Sequence, residues 1–372
     1  MVVDIYTEFN RDVKKLWTNF EKNAIMTPFQ SYAWLSHWQQ AVGGPLLYFK
    51  PQIVHVHDNT ETYAILPLGI RKNFRINILE WMGGVNTDYM GPLIHSEYLN
   101  GSENKYLWNT IESKLKNYDI IHFYKQLEHT VQFLDRIGFS FNSNKGIKVS
   151  KAELPINWDK YYNNIKKKLR SDSRRRRRRL EEIGEISIIY SEKPEDKTEI
   201  IKSMITQKSR RYRETGVWDM LAVKEYRDFY RGLANLNTEN FKVHCAVLLV
   251  DKIKVATHVG FVDDTTFYHL MPAHEGGDWE KYSPSRLLLL DMIKWSIGKN
   301  LKFFDFTVGE DAYKKDWCNI NGNLFDCLKP TTIKGIILFI SRKTIQAIKD
   351  IQWLNKKARR LRSWLININI LK

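Results

Sequence analysis

Cysteine is scarce in this sequence. Three residues, Cys245, Cys318 and Cys327, in a chain of 372 are too few, and odd in number, for a disulfide framework. No C-x-x-C pair offers thiolates to zinc. Long apolar runs are also lacking: stretches such as Ile336-Ile337-Leu338-Phe339-Ile340 fall far short of the ~20 residues of a spanning helix. The first residues, Met1-Val2-Val3-Asp4-Ile5, show no basic segment followed by an apolar stretch, so no signal peptide is expected. The patterns G-x-G-x-x-G, G-x-x-x-x-G-K-[ST] and G-x-S-x-G are all missing. That argues against a Rossmann dehydrogenase, a P-loop NTPase and an α/β-hydrolase. The expectation is a reduced, cytoplasmic protein, membrane-peripheral through its C-terminal tail if anywhere.

What is present is an ordinary globular balance: 43% hydrophobic, 13% aromatic and 27% charged residues, unlike the low-apolar profile of disorder. Lys+Arg minus Asp+Glu is 58 − 42 = +16. Such an excess favours anionic partners, whether nucleic acid, phosphorylated cofactors, nucleotide-linked substrates or an anionic lipid surface, without choosing among them.

Two stretches of similar order flank a basic centre. In the first, short strand-like runs at 52–57, 63–70 and 76–82 are followed by a helix over 106–115 and a buried strand at 120–124. In the second, a strand at 186–190 and helices over 195–213 and 226–236 precede a meander at 241–250, 254–261 and 265–271. A helix over 286–298 and a buried strand at 303–307 follow. Each is meander, helix, strand, which reads as a duplicated mixed α/β unit. The domains are placed at 1–160 and 186–330, joined by a basic helix over 161–185. A basic amphipathic tail, 331–372, ends the chain; there Ile345, Ile348, Trp353, Leu354, Leu361, Trp364 and Leu365 are interleaved with Lys and Arg.

The arginine run, Arg174 to Arg179, continues into Leu180-Glu181-Glu182-Ile183-Gly184. This looks like a helix ending at glycine and capped by Ser171 or Ser173. Six arginines on a helix point all round it, so they do not all face one nucleic-acid groove. No zinc finger, helix-turn-helix or RNP-like strand supports nucleic-acid binding. A solvated connecting helix and a helix meeting substrate or cofactor phosphates both stay open. His55 and His57 share a strand face, but no third ligand is close in sequence, so no metal site is expected.

Two later features carry chemistry. Tyr282-Ser283-Pro284-Ser285 opens a helix whose first-turn amides and partial positive charge suit a pyrophosphate; a capped helix with nothing bound is the plain alternative. Asp305 stands in a phenylalanine-rich strand, where a carboxylate is costly unless paired or functional. Alternation puts Phe303, Asp305 and Thr307 on one face, and Tyr313-Lys314 can fold back over the strand end. An amine-handling site and a structural Asp–Lys ion pair are the two readings.

Val255-Ala256, Tyr268, Tyr282-Ser283-Pro284-Ser285-Arg286-Leu287-Leu288, Phe304-Asp305-Phe306, Gly309 and Tyr313-Lys314 together resemble the cellulose-biosynthesis acetyltransferase-like branch of the GNAT superfamily. Phe29-Gln30-Ser31, Trp34-Leu35 and Asp88-Tyr89 look like the same family's N-terminal marks. The related Fem-type transferases share a tandem architecture. The resemblance covers roughly 28–317. It departs from the family at Ser285, where glycine is usual, and at the bulkier Arg286.

The resemblance implies an α/β fold of two tandem GNAT-like units, each a twisted mixed sheet flanked by helices. It implies acyl-CoA (acetyl-CoA or a longer or hydroxylated acyl-CoA) as donor, no metal, and an acceptor between the units. Leu270, Met271, Ser283, Ser285, Arg286 and Leu287 would hold the donor. Asp305 or His269 would take the amine proton, and Tyr313 would protonate the departing thiolate. For a surface-polysaccharide context the acceptor would be a dTDP- or UDP-linked amino sugar. It would be met by Trp81, Asp88, Tyr89, Arg174, Arg178, His258, Glu310 and Lys314. Two rivals stand beside this N-acyltransferase: a Fem-type enzyme using aminoacyl-tRNA, and a non-catalytic membrane-associated assembly factor for polysaccharide.

Overall fold

The computed structural model describes residues 1–350 apart from 59, 101–103, 140–143, 237, 310 and 311. Glu310 and the tail beyond 350 lie outside the described residues. Among the described residues fourteen strands join in one mixed sheet. They are β1 Val2–Tyr6, β2 Ala24–Ile25, β3 Lys50–His57, β4 Thr62–Asn73, β5 Ile76–Trp81, β6 Leu93–His95 and β7 Ile120–Gln126. Then come β8 Asn144–Glu153, β9 Ile186–Ser191, β10 Lys242–Val250, β11 Ile253–Val262, β12 Thr266–His274, β13 Phe303–Val308 and β14 Ile320–Pro330. The path is β1-β3-β4-β5-β7-β14-β8-β13-β12-β11-β10-β9, with β6 beside β4 and β2 beside β6.

The duplication read from the pattern is visible in the pairing. The meander β3-β4-β5 is followed by the helix Leu107–Lys114 and by β7, which lies parallel to β5 through Ile78↔Ile120. The meander β10-β11-β12 is followed by the helix Pro284–Gly298 and by β13, parallel to β12 through Thr266↔Phe303. β1 flanks β3 as β9 flanks β10. The halves also exchange strands. β8 pairs with β13 of the second half, β14 pairs with β7 of the first, and β8 and β14 pair with each other. Neither exchanged strand is legible in the sequence. β14 opens with Ile320 followed by Asn321-Gly322-Asn323, a turn composition, and β8 carries Lys148 and Lys151. Their strand state comes from the unpaired edges of β7 and β13, which need partners.

Packing follows the apolar pattern. The helix Pro284–Gly298 buries Leu287, Leu288, Leu289, Met292, Ile293 and Ile297, while Leu290 stays at the rim. Each such side chain contributes up to about 2 kcal/mol. The basic helix runs Lys167–Glu181 with Lys166 at its N-cap. Ser171 and Ser173 sit inside it, so the expected serine cap is absent. The halves meet through aromatic rings: Trp34 lies edge-on to Phe229 at 4.8 Å and to Phe261 at 4.9 Å, and Phe29 touches both Tyr89 and Tyr268. No helix among the described residues is long and apolar enough to cross a membrane.

Candidate active site

β12 and β13 are parallel neighbours, yet they pair at only three positions, Thr266↔Phe303, Phe267↔Phe304 and Tyr268↔Asp305. Beyond these the strands part. Thr307 takes a left-handed backbone (φ 54°) within a register break between Asp305 and Val308. That break turns β13 away and leaves one edge of His269–His274 facing a gap.

Two cavities converge there. A groove of about 560 Å³ runs from the gap to the start of the helix Pro284–Gly298, past Lys208, Arg211, Ser285, Arg286 and Trp317. A second cavity of about 280 Å³ lies between the halves, bounded by Trp34, Asn86 and Asp88 on one side and by Tyr212, Thr307 and Lys314 on the other. Lys208, His269, Pro272 and Tyr313 wall both. The equivalent gap in the first half is filled. Trp81 is buried there, stacked on Phe123 at 4.5 Å, and its indole N–H donates to Gln126 over 3.3 Å. Trp81 is therefore core, not a platform for a substrate ring.

Of the expected catalytic residues, His269 and Tyr313 reach the junction and Asp305 stands behind it. His269 is buried against Phe304 and Phe306. Burial, then Lys314 and Lys208, push its pKa down to about 3, so the ring is neutral at physiological pH. Tyr313 is 40% exposed. Asp305 accepts from the Tyr89 hydroxyl at 2.8 Å and the Thr307 amide at 2.7 Å, and lines neither cavity. Burial raises its pKa to about 6 against the lowering effect of these bonds. The left-handed Thr307 replaces the simple alternation expected along this strand. Lys314 does fold back over the strand end, where Nζ donates to the Phe306 and Val308 carbonyls at 2.8 and 2.7 Å. Asp305 takes its side-chain bond from Tyr89 of the other half.

The expected donor contacts are partly redistributed. Ser283, Ser285 and Arg286 border the groove, Leu270 and Met271 border the second cavity, and Leu287 is core. The amide grip is smaller than the sequence suggests. Pro284 has no N–H, the Arg286 amide donates to the Ser283 carbonyl at 3.0 Å, and the Leu287 amide joins it at 3.3 Å in the regular ladder. Ser285 is the remaining first-turn amide. The cause is Ser283, whose left-handed backbone (φ 50°) turns its carbonyl under the first turn. The Ser285 hydroxyl donates to the Ala273 carbonyl or meets His274 Nδ1. Arg286 is held by Asp172 of the basic helix at 2.7 Å, and Asp172 also takes Arg176 at 2.7 Å.

Among the expected acceptor contacts, Asp88 and Lys314 line the second cavity. Burial raises the Asp88 carboxyl despite nearby Lys125, Thr307 and Lys314. Tyr89 is buried with its hydroxyl on Asp305, so it offers no ring face. His258 is fully buried, stacked on His269 at 4.6 Å, with no hydrogen-bond partner for either ring nitrogen among the described residues. It is a core histidine. Arg174 and Arg178 are exposed and line neither cavity. Lys208, Arg211, Tyr212 and Asn86 were not singled out by sequence. The first three lie on the long helix Pro194–Thr215, where nothing in the pattern marks a wall residue.

The histidine pair does gain a third neighbour across the strand. His57 Nε2 lies 2.8 Å from Asp4 Oδ2 while Nδ1 lies 2.7 Å from the Asp58 carbonyl. Only an imidazolium donates to both, and the pKa of His57 is accordingly raised, with Asp4 and Asp58 outweighing its desolvation.

Residues 167–315 match the family model described as an acetyltransferase (GNAT) domain, a description that singles out no branch. The crystal structure of FemX has the same fold, with a TM-score of 0.59, 12% identity, and coverage of 88% of this chain and 97% of that one. A conserved protein of unknown function from Bacteroides thetaiotaomicron gives 0.55 at 10% identity, covering 88% and 100%. L-PGS from Bacillus licheniformis gives 0.52 at 11%, covering 92% and 99%. No curated protein matches the sequence. Residues 167–315 of this mixed α/β chain are therefore similar to a GNAT acetyltransferase domain.

Proposed function

We propose that the protein transfers an acyl group from a thioester donor in the groove to an amine in the cavity between the halves. The observation that carries this reading is the shared wall. Lys208, His269, Pro272 and Tyr313 border both cavities, so a donor carbonyl and an acceptor nitrogen entering from opposite sides meet at one place.

The groove fits a coenzyme A thioester in character. Leu169, Pro272, Ala273, Leu289 and Trp317 give it apolar walls, and Lys208, Arg211 and Arg286 supply positive charge beside the carboxylates of Glu280 and Asp316. With one first-turn amide left, side-chain cations do more of the phosphate binding than backbone does. The donor supplies an activated acyl carbonyl. A backbone N–H on the open edge of β12 near His269–Met271 polarises it as charge develops, a contribution of about 3 kcal/mol. Tyr313 gives the leaving thiolate its proton. Asp88 holds the acceptor amine; neutral His269 accepts a hydrogen bond from it and, being a weak base, passes the amine proton on to the Tyr313 oxygen, which has given its own to the thiolate.

An amino sugar suits Asp88 and Lys314. Trp81 and Tyr89, the stacking surfaces expected for a nucleotide attached to it, are both committed elsewhere. The test is acylation assayed with acetyl-CoA and longer acyl-CoAs against free, dTDP-linked and UDP-linked amino sugars. Asp88→Asn is expected to raise the acceptor KM. If no acyl-CoA gives product or raises the melting temperature, the donor assignment fails.

One observation favours a second reading. The basic helix docks beside the groove through Asp172–Arg286 and through Arg176 to the Lys281 carbonyl. It leaves Arg174, Arg175, Arg178 and Arg179 exposed. A donor borne on RNA, as in a Fem-type aminoacyl transferase, would find these cations at its entrance. Steeply salt-dependent tRNA binding, with activity only on charged tRNA, would select that reading.

A further inference from the structure

We propose that the first half docks on an anionic lipid bilayer, with lipid phosphates in a cationic cavity and an isoleucine stripe beside it in the interface. The cavity measures about 590 Å³, and Lys50, Lys72, Arg75, Lys114, Lys116 and Lys334 line it without a single carboxylate. Four structural pieces bring them together: the start of β3, the β4–β5 hairpin, the helix Leu107–Lys114 with the turn after it, and the helix Ile333–Asp350. Among the described residues none of the six is in an ion pair, and Lys114 is bonded only to the Val3 carbonyl. Cations gathered without counter-charge repel one another, so the arrangement suits an anionic occupant.

The stripe says which kind of occupant. Ile333, Ile336, Ile337 and Ile340 follow i, i+3, i+4, i+7 spacing, and they are 78, 47, 64 and 57% exposed. The helix is pinned so that this face stays outward. The Thr332 hydroxyl donates to the Asp119 carboxylate at 2.8 Å and the Thr331 amide to the Asp119 carbonyl at 3.0 Å. On the opposite side Gly335 sits flush on Asp119; a Cβ there would lie 1.9 Å from that carbonyl oxygen. Lys334 belongs to both features. Two more apolar groups flank the cavity: Tyr48 before β3 is 75% exposed, and Phe74 at the hairpin tip is 67% exposed. Exposed isoleucines and aromatics beside unpaired cations match the interface of an anionic membrane. A nucleic acid would satisfy the cations and leave the isoleucines in water.

Sedimentation of the full chain with vesicles tests this independently of the transfer reaction. Phosphatidylglycerol–phosphatidylcholine vesicles are expected to carry the protein down at low salt, and pure phosphatidylcholine to carry little. Lys72→Glu with Lys116→Glu should weaken binding by more than about tenfold, at roughly fivefold per cation lost. Ile336→Ser with Ile337→Ser should weaken it several-fold at unchanged salt dependence. Circular dichroism melts matching the parent show that each variant is folded. Equal binding to both vesicle types, undiminished binding by the charge-reversed variant, or protection of the six cations by RNA alone would overturn the proposal.

Discussion

Tyr89 and Asp305, 216 residues apart, meet across the two halves, the phenol donating to the carboxylate over 2.8 Å. Tyr89→Phe removes the side-chain donor and leaves the Thr307 amide. The Asp305 pKa, already raised to about 6 by burial, should then climb further. Charging a carboxyl whose pKa is raised opposes folding: its contribution is fully present below the unfolded value and lost as pH rises through the folded one. The variant should therefore be less stable by about 1–3 kcal/mol at pH 8 and by less at pH 5. Urea unfolding at the two pH values measures this. An equal deficit at both would show that the bond does not tune Asp305.

Tyr313 borders both cavities, and its proposed task is to protonate the leaving thiolate. Tyr313→Phe should lower kcat by about 10²-fold with the donor KM nearly unchanged, because the ring and its contact with Phe306 remain. A loss confined to KM would make the residue a binding wall only.

The second half was more legible than the first, for a physical reason. The helix Pro284–Gly298 and strand β13 have strong local patterns, a Pro at the first helical position and a run of phenylalanines, and both sit where they were expected. The site depends on relations no local pattern holds. The splay of β12 from β13 depends on a left-handed threonine, where composition predicts plain strand. Tyr89 looked free to stack because its partner is Asp305, in the other half. His258 and His269 lie on neighbouring strands and read alike in the sequence; one is sealed in the core and the other walls the cavities. Asp4 came to His57 only through the pairing of β1 with β3.

Trp81 separates two roles cleanly. Buried in the gap of the first half, it should behave as packing. Trp81→Ala should cost about 3–5 kcal/mol of stability and leave the KM values for donor and acceptor unchanged in the fraction that stays folded. A rise in acceptor KM without loss of stability would restore the stacking role.

Glu21 ties the halves together at another place, beside a cavity of about 1160 Å³. Its carboxylate accepts from the Tyr32 amide at 2.6 Å and from the Asn240 side chain of the second half. Burial outweighs both bonds and raises its pKa from 4.5 to about 7. The protonated form is thus favoured in the folded protein, and the stability it confers is complete below pH 4.5 and lost as pH rises through 7. Glu21→Gln keeps an acceptor for Tyr32 and removes the titration. Relative to this variant the parent should lose on the order of 2 kcal/mol between pH 5 and pH 8. Melting curves for both proteins across that range measure the difference. Parallel curves would mean that Glu21 is charged in the folded state throughout, and that its two bonds repay the desolvation.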